Sequence, residues 1–254
     1  MKDVSILGCG WLGKPLAEFL FEKGFEVKGS TTSLNKLEDL KSVNISPFLV
    51  DISSSKNFEE FLSSEVLIIA ITSKDLEAFK GLISQIEKSL IKKVIFISST
   101  SVYPSLNKEM TEEGATINSP LVQIENEFKN NQGFKTTIIR FAGLLGVNRN
   151  PANWFEGRKI PQPNGFVNMI HQEDCVEIIY QVIQQDVFGE VFNACSNHHP
   201  TRKEFYTNAK KRANKEKPIF DDSQPLKYKI INSDKLQKRL SYTFKFDDLL
   251  TDKN

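Results

Sequence analysis

Scarcity is the first property of this 254-residue chain: it has three cysteines, three histidines and no excess of either charge. Cys9, Cys175 and Cys195 are odd in number and lack metal-ligand spacing. Neither a disulfide framework nor a thiolate metal centre is expected, and a reducing, cytoplasmic compartment suits the chain. His198 and His199 adjoin Pro200 with no third ligand at useful spacing, so no metal site is expected there either. Lys and Arg number 33 against 32 Asp and Glu, a formal charge of +1. That balance implies no basic face, which argues against nucleic acid or an anionic membrane as partner. The longest apolar run, Val66 to Ile71, is far too short to span a bilayer. With a strand expected from the first residues, no signal peptide is expected. A soluble intracellular chain of this length can bury one large α/β core, alone or with a smaller annex.

Glycine, by contrast, is placed with purpose near the N-terminus. The apolar run Val4-Ser5-Ile6-Leu7 empties into Gly8-Cys9-Gly10-Trp11-Leu12-Gly13, and Leu12, Leu16, Phe19 and Leu20 follow at helical spacing. Strand, G-x-G-x-x-G, then helix is the pattern of a dinucleotide-binding βαβ unit. Gly8 permits the tight turn, Gly10 lets backbone approach a pyrophosphate, and Gly13 lets the helix pack on the strand. The N–H groups opening the helix then face the phosphates. Trp11 and Leu12 lie within the same turn and join the three glycines as candidate cofactor contacts. Gly8 to Lys14 also fits most of a phosphate-loop pattern, but Pro15 follows where a Ser or Thr would hold magnesium, which disfavours an NTPase.

Alternation of strand-like and helix-like segments carries on from there. Strands are expected at Val4–Leu7, Glu26–Gly29, Phe48–Asp51, Val66–Thr72, Val94–Ser98 and Thr136–Arg140. Several are continuous apolar runs, as expected for strands buried on both faces of a parallel sheet. Leu76, Phe79, Ile83, Ile86 and Leu90 mark a helix, and a shorter one is expected over about Leu121 to Phe128. After Arg140 the pattern changes: residues 143–151 and 156–168 look like loops, a helix carries Val176, Ile179, Val182 and Ile183, and the strand Val191–Ala194 precedes a basic mixed segment. The expected fold is α/β, a Rossmann doubly wound parallel sheet with a smaller C-terminal substrate region. Residues 1–146 would form the NAD(P)-binding domain and 147–254 the annex, with 172–194 returning to the sheet.

The choice of nicotinamide cofactor turns on the end of the second strand. An NAD enzyme usually places an acid there for the ribose 2′-hydroxyl. Here the corner is Gly29-Ser30-Thr31-Thr32-Ser33, without a carboxylate and with Lys36 near. Ser30, Thr31 and Thr32 therefore favour NADP, with NAD left open. The alternative is that these residues merely cap a helix.

Phe96-Ile97-Ser98-Ser99-Thr100-Ser101-Val102-Tyr103-Pro104 closes the fifth strand. Here the chain resembles the extended short-chain dehydrogenase/reductase superfamily of nucleotide-sugar epimerases and dehydratases, whose F-I-S-S-x-x-V-Y pattern it matches. Asp51-Ile52, Ile139-Arg140 with Gly143 and Gly146, Asn168-Met169-Ile170-His171 with Asp174, Phe192-Asn193 and Asn232-Ser233-Asp234-Lys235-Leu236 fit the same order, so the resemblance covers essentially the whole chain. It is nearest to the short, atypical YeeZ-like branch. The resemblance implies that Ser99 hydrogen-bonds a substrate carbonyl or alcohol. It also implies that Asp51 and Ile52 flank the adenine, and that Ala70, Ile71 and Thr72 lie along the cofactor.

The superfamily's proton-transfer pair is a Tyr and a Lys four residues later, on the helix before the sixth strand. One helical turn puts both on one face, where the ammonium lowers the phenol's pKa. If Glu127 matches the acid that follows that motif, Ser119 stands in the tyrosine's place and Gln123 in the lysine's. Neither can move a proton as that pair does. The one Y-x-x-x-K in the chain, Tyr206 to Lys210, lies far downstream and is read as a chance pattern on the surface of a peripheral helix. Tyr103 is the substitute acid, although the resemblance also gives it a packing role. Arg149, Trp154 and Asn168 would roof the pocket as substrate contacts, or else belong to solvated loop. His171 and Asp174 bracket a helix start as a capping corner. Two functions stay open: an NAD(P)-dependent oxidoreductase or epimerase acting on a sugar-like or small carbonyl substrate, or a non-catalytic NAD(P)-binding redox or ligand sensor. The retained Ser99 motif favours the first and the missing pair favours the second. A homodimer is compatible with either.

Overall fold

The structure, a computed structural model, describes residues 3–54 and 56–251. Its elements run β1 (Asp3–Leu7), α1 (Gly13–Glu22), β2 (Glu26–Thr31), α2 (Leu37–Lys41), β3 (Ser46–Leu49), β4 (Val66–Ile69), α3 (Leu76–Ile86), β5 (Lys93–Ser99), β6 (Lys108–Met110) and α4 (Pro120–Asn130). They continue as β7 (Lys135–Phe141), β8 (Gly143–Leu145), β9 (Ile160–Pro161), β10 (Met169–His171), α5 (Gln172–Gln184), β11 (Val191–Ala194), α6 (Arg202–Arg212), β12 (Phe220–Asp221), β13 (Lys229–Ile231) and α7 (Asp234–Leu240). Seven strands form one parallel sheet in the order β3-β2-β1-β4-β5-β7-β11. The order reverses between β1 and β4, the switch point at which doubly wound sheets open a ligand crevice. The expected α/β Rossmann sheet is therefore present.

Two compact units divide the chain. The first runs through Ser98 and adds Asn118–Ile139 and Ile179–Val191. Its core explains why these sequences become strands: Leu67, Ile68 and Ile69 of β4 are completely buried, and β1 is buried from Val4 to Leu7. Both faces are covered, so no alternation of polar and apolar residues is needed. Phe96 of β5 stacks on Phe128 of α4 with ring centroids 5.1 Å apart, and Phe79 of α3 meets both edge-on at 5.9 Å. Each such ring contributes roughly 1.5–3 kcal/mol by leaving water. α3 starts where Asp75 accepts a hydrogen bond from the Ala78 N–H at 3.0 Å.

The second unit comprises Ser99–Ile117, Arg140–Ile178 and the described residues from Phe192 onward. It is built on short parallel pairs, β8 with β10, β9 with β12 and β6 with β13. Leu145, Ile160, Val167, Phe205, Tyr206 and Leu249 form its core, with Trp154 and Phe155 packed against it. Fully buried Asp174 accepts from the Tyr242 hydroxyl at 2.6 Å and from the N–H groups of Lys245 and Phe246 at 2.8 and 3.1 Å, tying down the final segment.

Several boundaries differ from expectation for physical reasons. β3 runs Ser46–Leu49 rather than Phe48–Asp51, because Asp51 turns the chain by accepting from the Ser53 N–H at 2.9 Å. β4 stops at Ile69, short of Thr72; the Ala70 N–H still reaches the Leu7 carbonyl at 2.8 Å before the chain leaves the sheet. α3 ends at Ile86 and leaves Leu90 exposed. Residues 143–151 and 156–168, expected as loops, contain β8 and β9, whose two- and three-residue length carries no readable periodicity.

One contact sets the geometry of the sheet's carboxyl edge. A Cβ on Gly13 would stand 2.1 Å from the Gly8 carbonyl oxygen, a backbone atom that cannot step aside. Helix propensity alone favours Ala over Gly by about 1 kcal/mol, so a net loss isolates the clash. Gly13→Ala is expected to lower stability by roughly 1–3 kcal/mol, read as a reduced urea midpoint at constant slope. An unchanged or raised midpoint would contradict the close packing.

Candidate functional site

In the first unit, the turn after β1 is shaped by its neighbours. Gly8 has φ +98°, and a Cβ there would meet Ile71 Cγ2 at 2.5 Å and the Ala70 carbonyl at 3.0 Å. Its N–H donates to Ser30 Oγ at 3.0 Å, while the Cys9 N–H donates to the Ser30 carbonyl at 2.7 Å. Burial pushes the Cys9 thiol up to about 12, which keeps it protonated and inert. Gly10 is exposed, with no atom within 4 Å of its Cβ direction. α1 has no side-chain cap and no acid in its first turn. Among the described residues the N–H groups of Gly10, Leu12 and Gly13 have no acceptor. Uncapped donors at the positive end of a helix, reachable past a bare glycine, fit a dinucleotide pyrophosphate.

The other expected cofactor residues follow the next strand ends of the same unit. Ser30 is a correction: it is 1% exposed and its oxygen is engaged by Gly8, so it braces the glycine turn and has no surface for a 2′-phosphate. Thr31 is half-buried and accepts from the Ser33 N–H at 3.2 Å; Thr32 and Lys36 are exposed. No carboxylate occurs before Glu38 and Asp39 in the first turn of α2. Asp51 and Ile52 follow β3, the first exposed and the second packed partly on the core. Ala70, Ile71 and Thr72 follow β4, with Thr72 exposed.

The second unit opens at Ser99, the last residue of β5. Its Oγ accepts from the Ser101 N–H at 3.1 Å, and its own proton has no acceptor among the described residues. That leaves one oriented donor ready for a ligand oxygen. The 3-10 turn Thr100–Val102 then leads into Tyr103. The Tyr103 phenol is 2% exposed, accepts from Arg140 Nη1 at 2.6 Å and donates to Asn193 Oδ1 at 2.8 Å. Burial raises its pKa, only partly offset by the Arg140 guanidinium. It is a buried packing node, and the expectation of Tyr103 as the substitute acid is corrected on that ground. Asn193 extends the node, its N–H donating to Glu112 at 2.7 Å and its side-chain amide to the Asn232 carbonyl at 3.2 Å.

On α4 of the first unit, Ser119 is the N-cap, accepting from the Val122 N–H at 3.4 Å, and exposed Gln123 contacts Asn118 at 3.4 Å. The acid that folds inward is Glu125, which accepts from Ser98 Oγ at 2.5 Å, while Glu127 stays exposed.

Of the residues expected to touch substrate, Arg149 is exposed on its loop and Trp154 is half-buried with its ring 6.4 Å from Tyr206. Asn168 is a correction. Its Nδ2 donates to the Lys229 carbonyl and its Oδ1 accepts from the Ile231 N–H, both at 2.9 Å, so the amide clamps β13. Tyr206 and Lys210 are also corrected: they lie on the buried face of α6, not on its surface. Tyr206 packs on Trp154, Phe155 and Phe205, which explains a tyrosine there without any chemistry. Glu125 and Lys229 were not legible as important, since only their burial or partners distinguish them; Asn193 was marked only by the Phe192-Asn193 match, which gave it no role.

Residues 3–123 match the NAD binding domain of 6-phosphogluconate dehydrogenase. The solved structures with this fold include a functionally unknown conserved protein from Silicibacter pomeroyi (TM-score 0.83, 17% identity, 98% of this chain and 96% of that one). Another is the dTDP-glucose 4,6-dehydratase of Bacillus anthracis in complex with NAD (TM-score 0.81, 17% identity, 98% and 94% covered). Residues 3–123 are thus an NAD-binding domain of Rossmann type, in a chain whose fold is that of solved epimerase/dehydratase structures. The chain belongs to the YeeZ family: it is 30% identical to Protein YeeZ of Escherichia coli K12 over 269 aligned positions, covering 98% of each. No helix among the described residues is long and apolar enough to cross a membrane.

Two substitutions separate ligand from scaffold. Gly10→Val should leave the melting temperature unchanged, because its Cβ enters open space, yet abolish NADPH binding; retained affinity would remove the pyrophosphate from this turn. Tyr103→Phe should cost about 1–3 kcal/mol by stranding buried partners, read in a urea titration, and an unchanged midpoint would contradict its role as a packing node.

Proposed function

We propose that the chain is an NAD(P)-dependent oxidoreductase or epimerase/dehydratase-like enzyme acting on a sugar-like or small carbonyl substrate. Residues 147–254, with 172–194 returning to the sheet, serve as its substrate region. The observation that carries the reading is Ser99: its hydroxyl accepts from the Ser101 N–H, its proton has no acceptor among the described residues, and it ends the strand beside β4. A nicotinamide dinucleotide bound on Gly8, Gly10, Trp11, Leu12 and Gly13 would supply hydride transfer. Asp51 and Ile52 would flank its adenine, and Ala70, Ile71 and Thr72 would lie along the cofactor, as the resemblance implies. Ser99 donates to the substrate oxygen on which negative charge develops, and Arg149 and Trp154 hold the substrate's far side. Donors of this kind typically supply about 10²–10³ in rate.

Thr31, Thr32 and Lys36 support NADPH over NADH. Hydroxyls and an ammonium accept a 2′-phosphate that a carboxylate would repel. Ser119 and Gln123 stand where the superfamily has its Tyr and Lys, and Ser119 is occupied as a helix cap. Proton transfer therefore lacks its usual pair, and turnover is slow. The same observation supports a second reading, a dinucleotide-binding sensor without chemistry.

A fluorescence titration with NADPH and NADH, followed by absorbance assays against nucleotide sugars and short aldehydes, separates these. We expect tighter NADPH binding, and turnover that falls roughly 10²-fold in Ser99→Ala with dinucleotide affinity kept. Tighter NADH binding would remove the phosphate from the threonine corner. Dinucleotide binding with no turnover of any substrate would favour the sensor.

A further inference from the structure

We propose that Lys229 is the positioning residue of the Ser99 turn; the inference rests on the reading that Ser99 is the donor to substrate. Lys229 lies 126 residues beyond Tyr103 in sequence, yet its Nζ donates to the Tyr103 carbonyl at 2.6 Å and to the Thr100 carbonyl at 2.8 Å. Thr100 opens the 3-10 turn that Ser99 caps, and Tyr103 is the residue that follows it. The Thr100 carbonyl already accepts the Tyr103 N–H at 3.2 Å, which closes the turn; the ammonium adds a second donor to that carbonyl and supplies one to the Tyr103 carbonyl just beyond the turn. Charge-assisted bonds of this kind are about twice as strong as neutral ones.

The lysine is itself held from both sides. Asn168 takes the Lys229 carbonyl and the Ile231 N–H, β13 pairs with β6, and Asn107 Oδ1 accepts from the Tyr228 N–H at 2.8 Å. Its backbone cannot drift, so the ammonium is a fixed point. Among the described residues no carboxylate pairs with it, and burial lowers its pKa. A half-buried lysine without a counter-charge is a poor choice for stability alone. Held against two carbonyls, it fixes the path of Thr100 to Tyr103, and with it the Ser101 N–H that orients the Ser99 hydroxyl. The Tyr103 phenol locks the far end of the same turn through Arg140 and Asn193.

The test compares the full chain with Lys229→Met, which keeps the stem and removes the donors, and with Lys229→Arg, which restores a charged donor. Two NMR readouts are used: amide exchange along the turn, and the Ser99 Hα–Hβ couplings that report its rotamer. In Lys229→Met we expect the Ser101 and Tyr103 amides to exchange about tenfold faster or more, the Ser99 couplings to average, and exchange in β1 and β4 to stay native. Lys229→Arg should recover a single Ser99 rotamer. Native couplings and native turn exchange in Lys229→Met would overturn the proposal. So would faster exchange spread evenly over the molecule, which marks a general scaffold role. Neither readout needs dinucleotide or substrate, so absence of turnover would sink the proposed function and leave this inference to be decided by Ser99 alone.

Discussion

The carbonyl oxygen of Gly8 stands 2.1 Å from where a Cβ on Gly13 would be, and the carboxyl edge of the first unit depends on that approach. Any side chain at Gly13 would lift α1 off β1. With hydrogen there instead, the helix begins against the strand, and the Gly10, Leu12 and Gly13 N–H groups at its start have no acceptor among the described residues. Ile71 closes the turn from β4 and Ser30 braces it from β2. Three neighbouring strands thus hold a helix terminus that no side chain among the described residues caps. Such a terminus is unfavourable alone and favourable against an anion, which is how a binding site differs from a structural turn.

Burial divides hydroxyls that look alike in sequence. Ser99 is the last residue of its strand and Ser30 the last but one of its own, and both sit in polar stretches. Ser30 is sealed beneath the glycine turn and serves only the scaffold. Ser99 is half-exposed, its oxygen engaged and its proton unshared, which suits it to a ligand. Tyr103 makes the same point for aromatics: a phenol bonded at once to Arg140 and Asn193 stabilises its surroundings by being complete, and a complete network has nothing left to offer substrate.

Legibility in the sequence followed the strength of local constraint. The alternation of buried strands with amphipathic helices was readable because the first unit's core imposes it over long segments, as the Phe79, Phe96 and Phe128 cluster shows. The glycine turn was readable because only glycine satisfies its geometry. β8, β9 and β13 were not, since strands of two or three residues have no period to detect and exist through pairing with distant partners. The same holds for Asn168, whose amide was expected at substrate and instead clamps β13. It holds too for Tyr206, whose motif with Lys210 proved to be the inward face of α6. Each depends on contacts made more than forty residues away, or on which side of a helix is covered, and neither is written in spacing alone.

The central claim is that a nicotinamide dinucleotide lies on the unaccepted amides of the β1–α1 turn. The most direct measurement is a chemical-shift titration of the ¹⁵N-labelled chain with NADPH. The account predicts the largest shifts at the Gly10, Leu12 and Gly13 amides, saturating together, with the Gly8 amide moving least because Ser30 already holds it. Saturable NADPH binding that leaves those three amides unmoved would contradict it.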